Sequence, residues 1–120
     1  MKNKKRLQCY VRPYRLRWGL SQTELAFIIG TGRNYISYLE TEKRRPKLSD
    51  AFALQVFFGV EIAELFPTLF SEIEDGVLAR AYDLYERLQG QHSEKTRIKL
   101  DFLEEIFESA KRKTNSNKKS

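Results

Sequence analysis

Apolar and polar positions along this chain fall into short helical blocks separated by clear punctuation. Pro13 suits a first helical turn, where its missing N–H is no loss, and Gly19 suits the position just past a helix end. Leu16 and Trp18 lie between them and are expected to supply apolar surface. Ser21-Gln-Thr-Glu24 fits a capping box, in which the serine oxygen accepts from the Glu24 amide and the carboxylate reaches back to the serine amide. Leu20 and Leu25 flank it at the spacing of a hydrophobic staple. A helix over residues 22–29 follows, with Leu25, Ala26 and Ile29 inward and Gly30 as a left-handed cap. The Ile36/Leu39 pair then predicts a further helix over residues 33–40. Two short helices joined by about three residues around a glycine form a helix-turn-helix, and small Ala26 lets them cross closely.

Pro46 leaves the next loop. Leu48, Ala51, Phe52, Leu54 and Phe58 predict a fourth helix closed by Gly59, with all five residues in the core. Ile62, Leu65 and Phe66 predict a short fifth helix stopped by Pro67. Beyond it Ile73, Val77, Ala81, Leu84 and Leu88 form one stripe on a helix of about 20 residues. After a break at "QGQHS", with Gly90 as stop and Ser93 as cap, a second stripe contains Leu100, Leu103, Phe107 and Ala110, widened by Phe102 and Ile106. The ending KRKTNSNKKS is expected to be a disordered basic tail that adds salt-sensitive attraction to polyanions.

Composition narrows the class. A chain of 120 residues with 41% apolar content can bury one ordinary core with an appendage. Cys9 is the only cysteine, so an internal disulfide and a cysteine-based zinc site are excluded. The longest apolar run is too short to span a bilayer, and no apolar run follows the basic N-terminus to make a signal peptide. The expectation is a cytoplasmic protein without a membrane partner. His92, the sole histidine, lies in a predicted turn with no nucleophile, base or metal-ligand cluster in the pattern around it. Neither an enzyme, a cofactor nor a metal site is expected.

Charge is distributed unevenly. Residues 1–47 carry 12 Lys/Arg against Glu24, Glu40 and Glu42, a net +9, whereas residues 61–108 carry five Lys/Arg against 12 Asp/Glu, a net −7. A basic first half points to a polyanion, with nucleic acid the default candidate.

The segment "LSQTELAFIIGTGRNYISYLETEKRRPKLSDAFALQVFFGVEIAELF" resembles the lambda-repressor-like family, also called the Cro or XRE family of helix-turn-helix DNA-binding proteins. The matching residues are Arg15, Ser21-Gln22, Glu24-Leu25-Ala26, Gly30, Ile36-Ser37, Leu39-Glu40, Lys43 with Pro46, Gly59-Val60 and Leu65-Phe66. The resemblance implies an all-α fold of five short helices around one core over residues 11–67, and the sequence pattern itself places a basic arm before it at residues 1–10. Residues 68–112 would follow as a two-helix amphipathic extension, and residues 113–120 as the tail. It further implies that the third helix lies in a DNA major groove.

With Ile36 and Leu39 inward, Arg33, Asn34 and Tyr38 emerge on the opposite side, where such proteins present base-reading residues. Arg33 would bond both acceptors of a guanine edge, Asn34 would pair with adenine, and Tyr38 would touch a thymine methyl or a phosphate. The bland alternative for Arg33 is a phosphate contact alone. Ser21 and Gln22, at the start of the second helix, and Lys43, Arg44 and Arg45 are the expected phosphate contacts. Arg15 and Glu40 match family positions that pair in a structural salt bridge. Tyr35 is expected to cover the turn left under-packed by Thr31.

The sequence departs from the family at Thr31, where an aliphatic residue is usual, and at Gly32, where Ser or Thr usually caps. Glu42 replaces a glycine and brings negative charge near the phosphate contacts. The function implied is a sequence-specific transcriptional regulator, a repressor that occupies operator DNA as a homodimer. The interface is expected at Val77, Leu84, Leu88, Leu103 and Phe107; folding back on the first domain is the alternative. An antitoxin binding a toxin protein through the same helices, and an interaction module without DNA readout, are the alternative functions.

Overall fold

In the computed structural model, residues 9–118 are described, with side chains through Thr114. The chain divides into two compact units between Glu72 and Ile73.

The first unit contains α1 (Val11–Arg17), α2 (Gln22–Ile29), α3 (Arg33–Glu40), α4 (Leu48–Phe58), α5 (Ile62–Leu65) and the start of α6 (Pro67–Leu88). Its core joins Val11, Leu25, Ala26, Ile36, Leu39, Leu54, Leu65 and Phe66, with Cys9 buried at its edge. Around it pack Tyr14, Ile29, Tyr35, Phe58, Val60, Ile62 and Leu69, all partly buried. Just before α1 the Tyr10 N–H donates to the Leu65 carbonyl at 2.7 Å, tying that point of the chain to α5. Gly19 closes α1 at φ +70, and the Leu20 N–H returns to the Arg15 carbonyl at 3.1 Å. Only glycine takes that left-handed turn without crowding between a Cβ and the backbone.

Three expectations about this unit need correction. Leu16 and Trp18 are exposed, and the face of α1 that meets the core carries Val11 and Arg15. On α4, Leu48 is 70% and Phe52 52% exposed, while Ala51 and Leu54 are buried and Phe58 half-buried. The reason is that LSDAFALQVFF is apolar on nearly every face, so periodicity offers several stripes. A helix can press only one of them, here Ala51, Leu54 and Phe58 at i, i+3 and i+7, onto a core. Pro67 does more than stop α5, because it opens α6, where a residue lacking an N–H costs no hydrogen bond.

The second unit comprises the rest of α6 and α7 (Glu94–Lys118). Gly90 turns the chain at φ +87, and Ser93 caps α7, its Oγ accepting the Thr96 N–H at 3.1 Å. Leu88, Thr96 and Leu103 are buried. Phe107 meets Tyr85 edge-on at 5.7 Å and Tyr82 at 6.1 Å, and the Tyr85 hydroxyl donates to Glu104 at 2.8 Å. Helix α7 continues to Lys118, into the segment expected to be a disordered tail: nothing in KRKTNSNK is a proline or glycine that would end it. Of the basic arm expected at residues 1–10, residues 1–8 lie outside the described residues, while Cys9 and Tyr10 are held against the first unit.

Candidate nucleic-acid interface

The turn between α2 and α3 is built by local chemistry. The Glu24 N–H donates to Ser21 Oγ at 3.0 Å and the Ser21 N–H to Glu24 Oε1 at 2.9 Å, completing the capping box. Gly30, at φ +90, ends α2, and both its N–H and that of Thr31 donate to the Ala26 carbonyl, at 2.8 and 2.9 Å. Gly32 then caps α3 in an extended conformation without a side-chain hydrogen bond. Ile36 and Leu39 are fully buried and hold α3 against the core.

The opposite face of α3 is left to solvent. Arg33, Asn34 and Tyr38 are exposed there, as expected. Two further residues share that face: Ser37, one turn beyond Arg33, and Thr41, one turn beyond Ser37. Their i+4 and i+8 spacing from Arg33 is the signal that would have found them. Thr41 Oγ1 donates to the Ser37 carbonyl at 2.8 Å, which steadies the end of the face.

A buried ion pair braces α3 from behind. Arg15 Nε donates to Glu40 Oε2 at 2.7 Å and its Nη2 to Glu40 Oε1 at 2.9 Å; the two side chains are only 7% and 2% exposed. The third arm of the guanidinium, Nη1, donates to the Leu20 carbonyl at 2.9 Å. The pair expected between Arg15 and Glu40 is therefore present, bidentate and dry. Gln22 joins it, its Nε2 donating to Glu40 Oε1 at 3.0 Å. That bond engages a side chain expected to reach for phosphate and links the start of α2 to the end of α3.

The loop after α3 begins in strain. Glu42 adopts φ +64, the left-handed region that a glycine would occupy at no cost. The Glu42 N–H donates to the Leu39 carbonyl, and the Lys43 and Arg44 amides both return to the Tyr38 carbonyl, at 2.8 and 3.3 Å. Lys43, Arg44 and Arg45 are all exposed. Arg45 pairs with Glu72 at 3.0 Å, an exposed bridge. Tyr35, expected over the turn at Thr31, has its hydroxyl at this loop, where the oxygen accepts the Lys47 N–H at 2.9 Å.

Of the residues expected to form an interface in the second unit, Val77 and Leu84 are exposed. Leu88 and Leu103 are buried and Phe107 is half-buried against Tyr82 and Tyr85, so these three are occupied within the unit itself. Ile73, also exposed, continues the free stripe with Val77 and Leu84 on one face of α6.

A glycine-turned helix pair, its second member braced from behind and presenting a polar face beside a cationic loop, defines a helix-turn-helix domain. Comparison with known proteins agrees: the helix-turn-helix family profile of the Cro/C1 type matches residues 13–65. An uncharacterised HTH-type transcriptional regulator from Archaeoglobus fulgidus is 36% identical over 56 residues, covering 47% of this chain and 80% of the relative. A second, from Methanocaldococcus jannaschii, is 38% identical over 66 residues, covering 55% of this chain and 91% of the relative. No solved structure gives a significant match. The chain belongs to this helix-turn-helix family and is a DNA-binding transcriptional regulator. Among the described residues no helix is long and apolar enough to cross a membrane.

Proposed function

We propose that the protein is a repressor that occupies operator DNA as a dimer and reads sequence with the exposed face of α3. The observation that carries this is the composition of that face. Arg33, Asn34, Ser37 and Tyr38 are all able to hydrogen-bond base edges, and Arg33 is in no ion pair among the described residues. An arginine forks onto the two acceptors of guanine and an asparagine matches adenine, so Arg33 and Asn34 are the principal readers. Phosphate is gripped by Lys43, Arg44 and Arg45 on one side and by the start of α2, at Ser21 and Gln22, on the other.

One such domain offers limited affinity and specificity, and two related by a two-fold axis read paired half-sites. The stripe Ile73, Val77 and Leu84 supplies an apolar face in the second unit on which two copies can meet. Leu88, Leu103 and Phe107 are buried or half-buried within the unit and support α6, the helix that carries it.

Selection of bound sequences from random DNA tests the reading. A preferred half-site repeated about one helical turn away (roughly 10 bp) is expected, with Arg33→Ala flattening the preference at one position by about 1–3 kcal/mol. Equal losses on selected and random DNA for Arg33→Ala would remove the base-reading role. Sedimentation of the Val77→Glu, Leu84→Glu variant should give a monomer. A wild-type protein that is already monomeric would favour a different protein as the occupant of the stripe, as in an antitoxin.

A further inference from the structure

Tyr35 is the one aromatic residue of α3 that turns toward the cationic loop. The two ends of that loop are held by different means. At its start, the Lys43 and Arg44 amides bond back to the Tyr38 carbonyl. At its end, the Lys47 N–H donates to the Tyr35 hydroxyl oxygen at 2.9 Å, just before α4 begins. The Arg44 guanidinium lies over the Tyr35 ring, 5.6 Å from its centroid, and the Lys47 ammonium lies 5.9 Å from the same centroid.

This gathers two cations around one ring. Their mutual repulsion is unfavourable, and the negative face of the aromatic quadrupole offsets it. Neither Arg44 nor Lys47 forms an ion pair among the described residues, whereas their neighbour Arg45 is paired with Glu72. Burial and the facing Asp50 carboxylate both raise the phenol pKa above its ordinary value, so the hydroxyl stays neutral and the ring bears no charge that would pair with either cation.

We propose that Tyr35 is a positioning residue for DNA-backbone binding, folding the loop around its ring so that Arg44 and Lys47 are presented together to phosphates. Lys47 thereby joins the cations that grip the backbone. The inference rests on the DNA-docking reading of α3 and adds to it a residue that touches no DNA itself. The ring fixes where the two charges stand before DNA arrives, so less side-chain freedom remains to be lost on binding. A phosphate backbone then takes up charges that form no ion pair among the described residues of the isolated protein.

The test uses the full chain and a fluorescein-labelled duplex of random sequence, so that base reading does not contribute. Anisotropy titrations across a salt series give the slope of log K against log salt, which falls by about 0.9 for each phosphate that is no longer neutralised. Arg44→Ala and Lys47→Ala should each lower the slope by about one, and Tyr35→Leu by nearly two. Tyr35→Phe keeps the ring but frees Lys47, and should weaken binding at every salt concentration. In all four variants the preference for the selected over the random duplex should be unchanged, because Arg33 and Asn34 are untouched.

A Tyr35→Leu protein with wild-type helix content and wild-type slope would overturn the proposal. Should that variant not fold, Lys47→Ala with an unchanged slope, or Tyr35→Phe with unchanged affinity, overturns it equally. A wild-type protein that binds the duplex without salt dependence would overturn the docking reading itself, and the positioning role with it.

Discussion

The energetic difference between a buried and an exposed ion pair can be measured inside this one chain. Arg15–Glu40 and Arg45–Glu72 have similar N···O distances, 2.7 and 3.0 Å, yet side-chain exposures of 7% and 2% against 71% and 62%. Truncating Glu40 to alanine leaves the Arg15 guanidinium, among the described residues, with the Leu20 carbonyl as its one partner and leaves Gln22 Nε2 without its acceptor. A buried charge stripped of its counterion costs about 3–5 kcal/mol, because the desolvation already incurred is no longer offset. Glu72→Ala removes a pair that water screens well, and should cost no more than about 1 kcal/mol.

Urea unfolding followed by far-UV circular dichroism at constant m-value separates the two. A domain of ordinary stability has about 5–15 kcal/mol to lose, so Glu40→Ala should move the midpoint far and Glu72→Ala barely. The paired replacement Arg15→Met, Glu40→Leu should recover most of the loss, since apolar side chains of similar volume leave no buried charge behind. Equal costs for Glu40→Ala and Glu72→Ala, or an Arg15→Met, Glu40→Leu variant that loses at least as much as Glu40→Ala, would refute the role of burial.

Two other perturbations follow from single residues. Glu42→Gly relieves a left-handed conformation at φ +64 and should stabilise the first unit by about 1 kcal/mol in the same urea assay. It should also tighten binding to random DNA, because it removes a carboxylate beside Lys43 and Arg44. Burial pushes the Cys9 thiol from 9.0 up to about 11, outweighing a backbone hydrogen bond that lowers it, so the native thiol should react with iodoacetamide far more slowly than the urea-unfolded one. The folded value lies above the unfolded one, so this contribution to stability is complete below pH 9 and lost as pH rises through about 11. Cys9→Ala should show a shallower alkaline decline in unfolding free energy, and an identical decline would remove the thiol as its cause.

The parts of the fold legible in the sequence are those set by neighbours along the chain. The capping box at Ser21 and Glu24, the left-handed Gly30 and the Ile36/Leu39 pair fix α2, the turn and α3 through contacts a few residues apart. Each has a distinct residue signature, so the pattern leaves little choice. Where several faces are equally apolar the pattern loses its meaning. Helix α4 could have buried Leu48 and Phe52 or Ala51 and Leu54, and the choice belongs to what it packs on. The extension shows the same limit: an apolar stripe states that something covers it, not what. Leu88, Leu103 and Phe107 are covered by their own unit, and the tyrosines that receive Phe107 are at i and i+3, a spacing that marks a shared face only once the partner is known.

At the start of α2 the tertiary structure gives Gln22 a partner that its position along the chain does not suggest. Its position at the start of α2 assigns Gln22 a phosphate contact through its side chain. Folding brings Glu40 within reach, and the amide is drawn to a buried carboxylate, a stronger acceptor at 3.0 Å than solvent provides. The capping box likewise takes the Ser21 and Glu24 amides. What the helix start retains for an anion is then the Ser21 hydroxyl hydrogen, whose oxygen only accepts in the capping box, and the backbone N–H groups of Gln22 and Thr23, with the positive end of the helix dipole behind them. Gln22→Ala on this account leaves those donors in place and loosens instead the Glu40 carboxylate that braces α3. Its effect should therefore appear on specific and random DNA in unequal measure, greater where α3 must be aimed precisely at base edges.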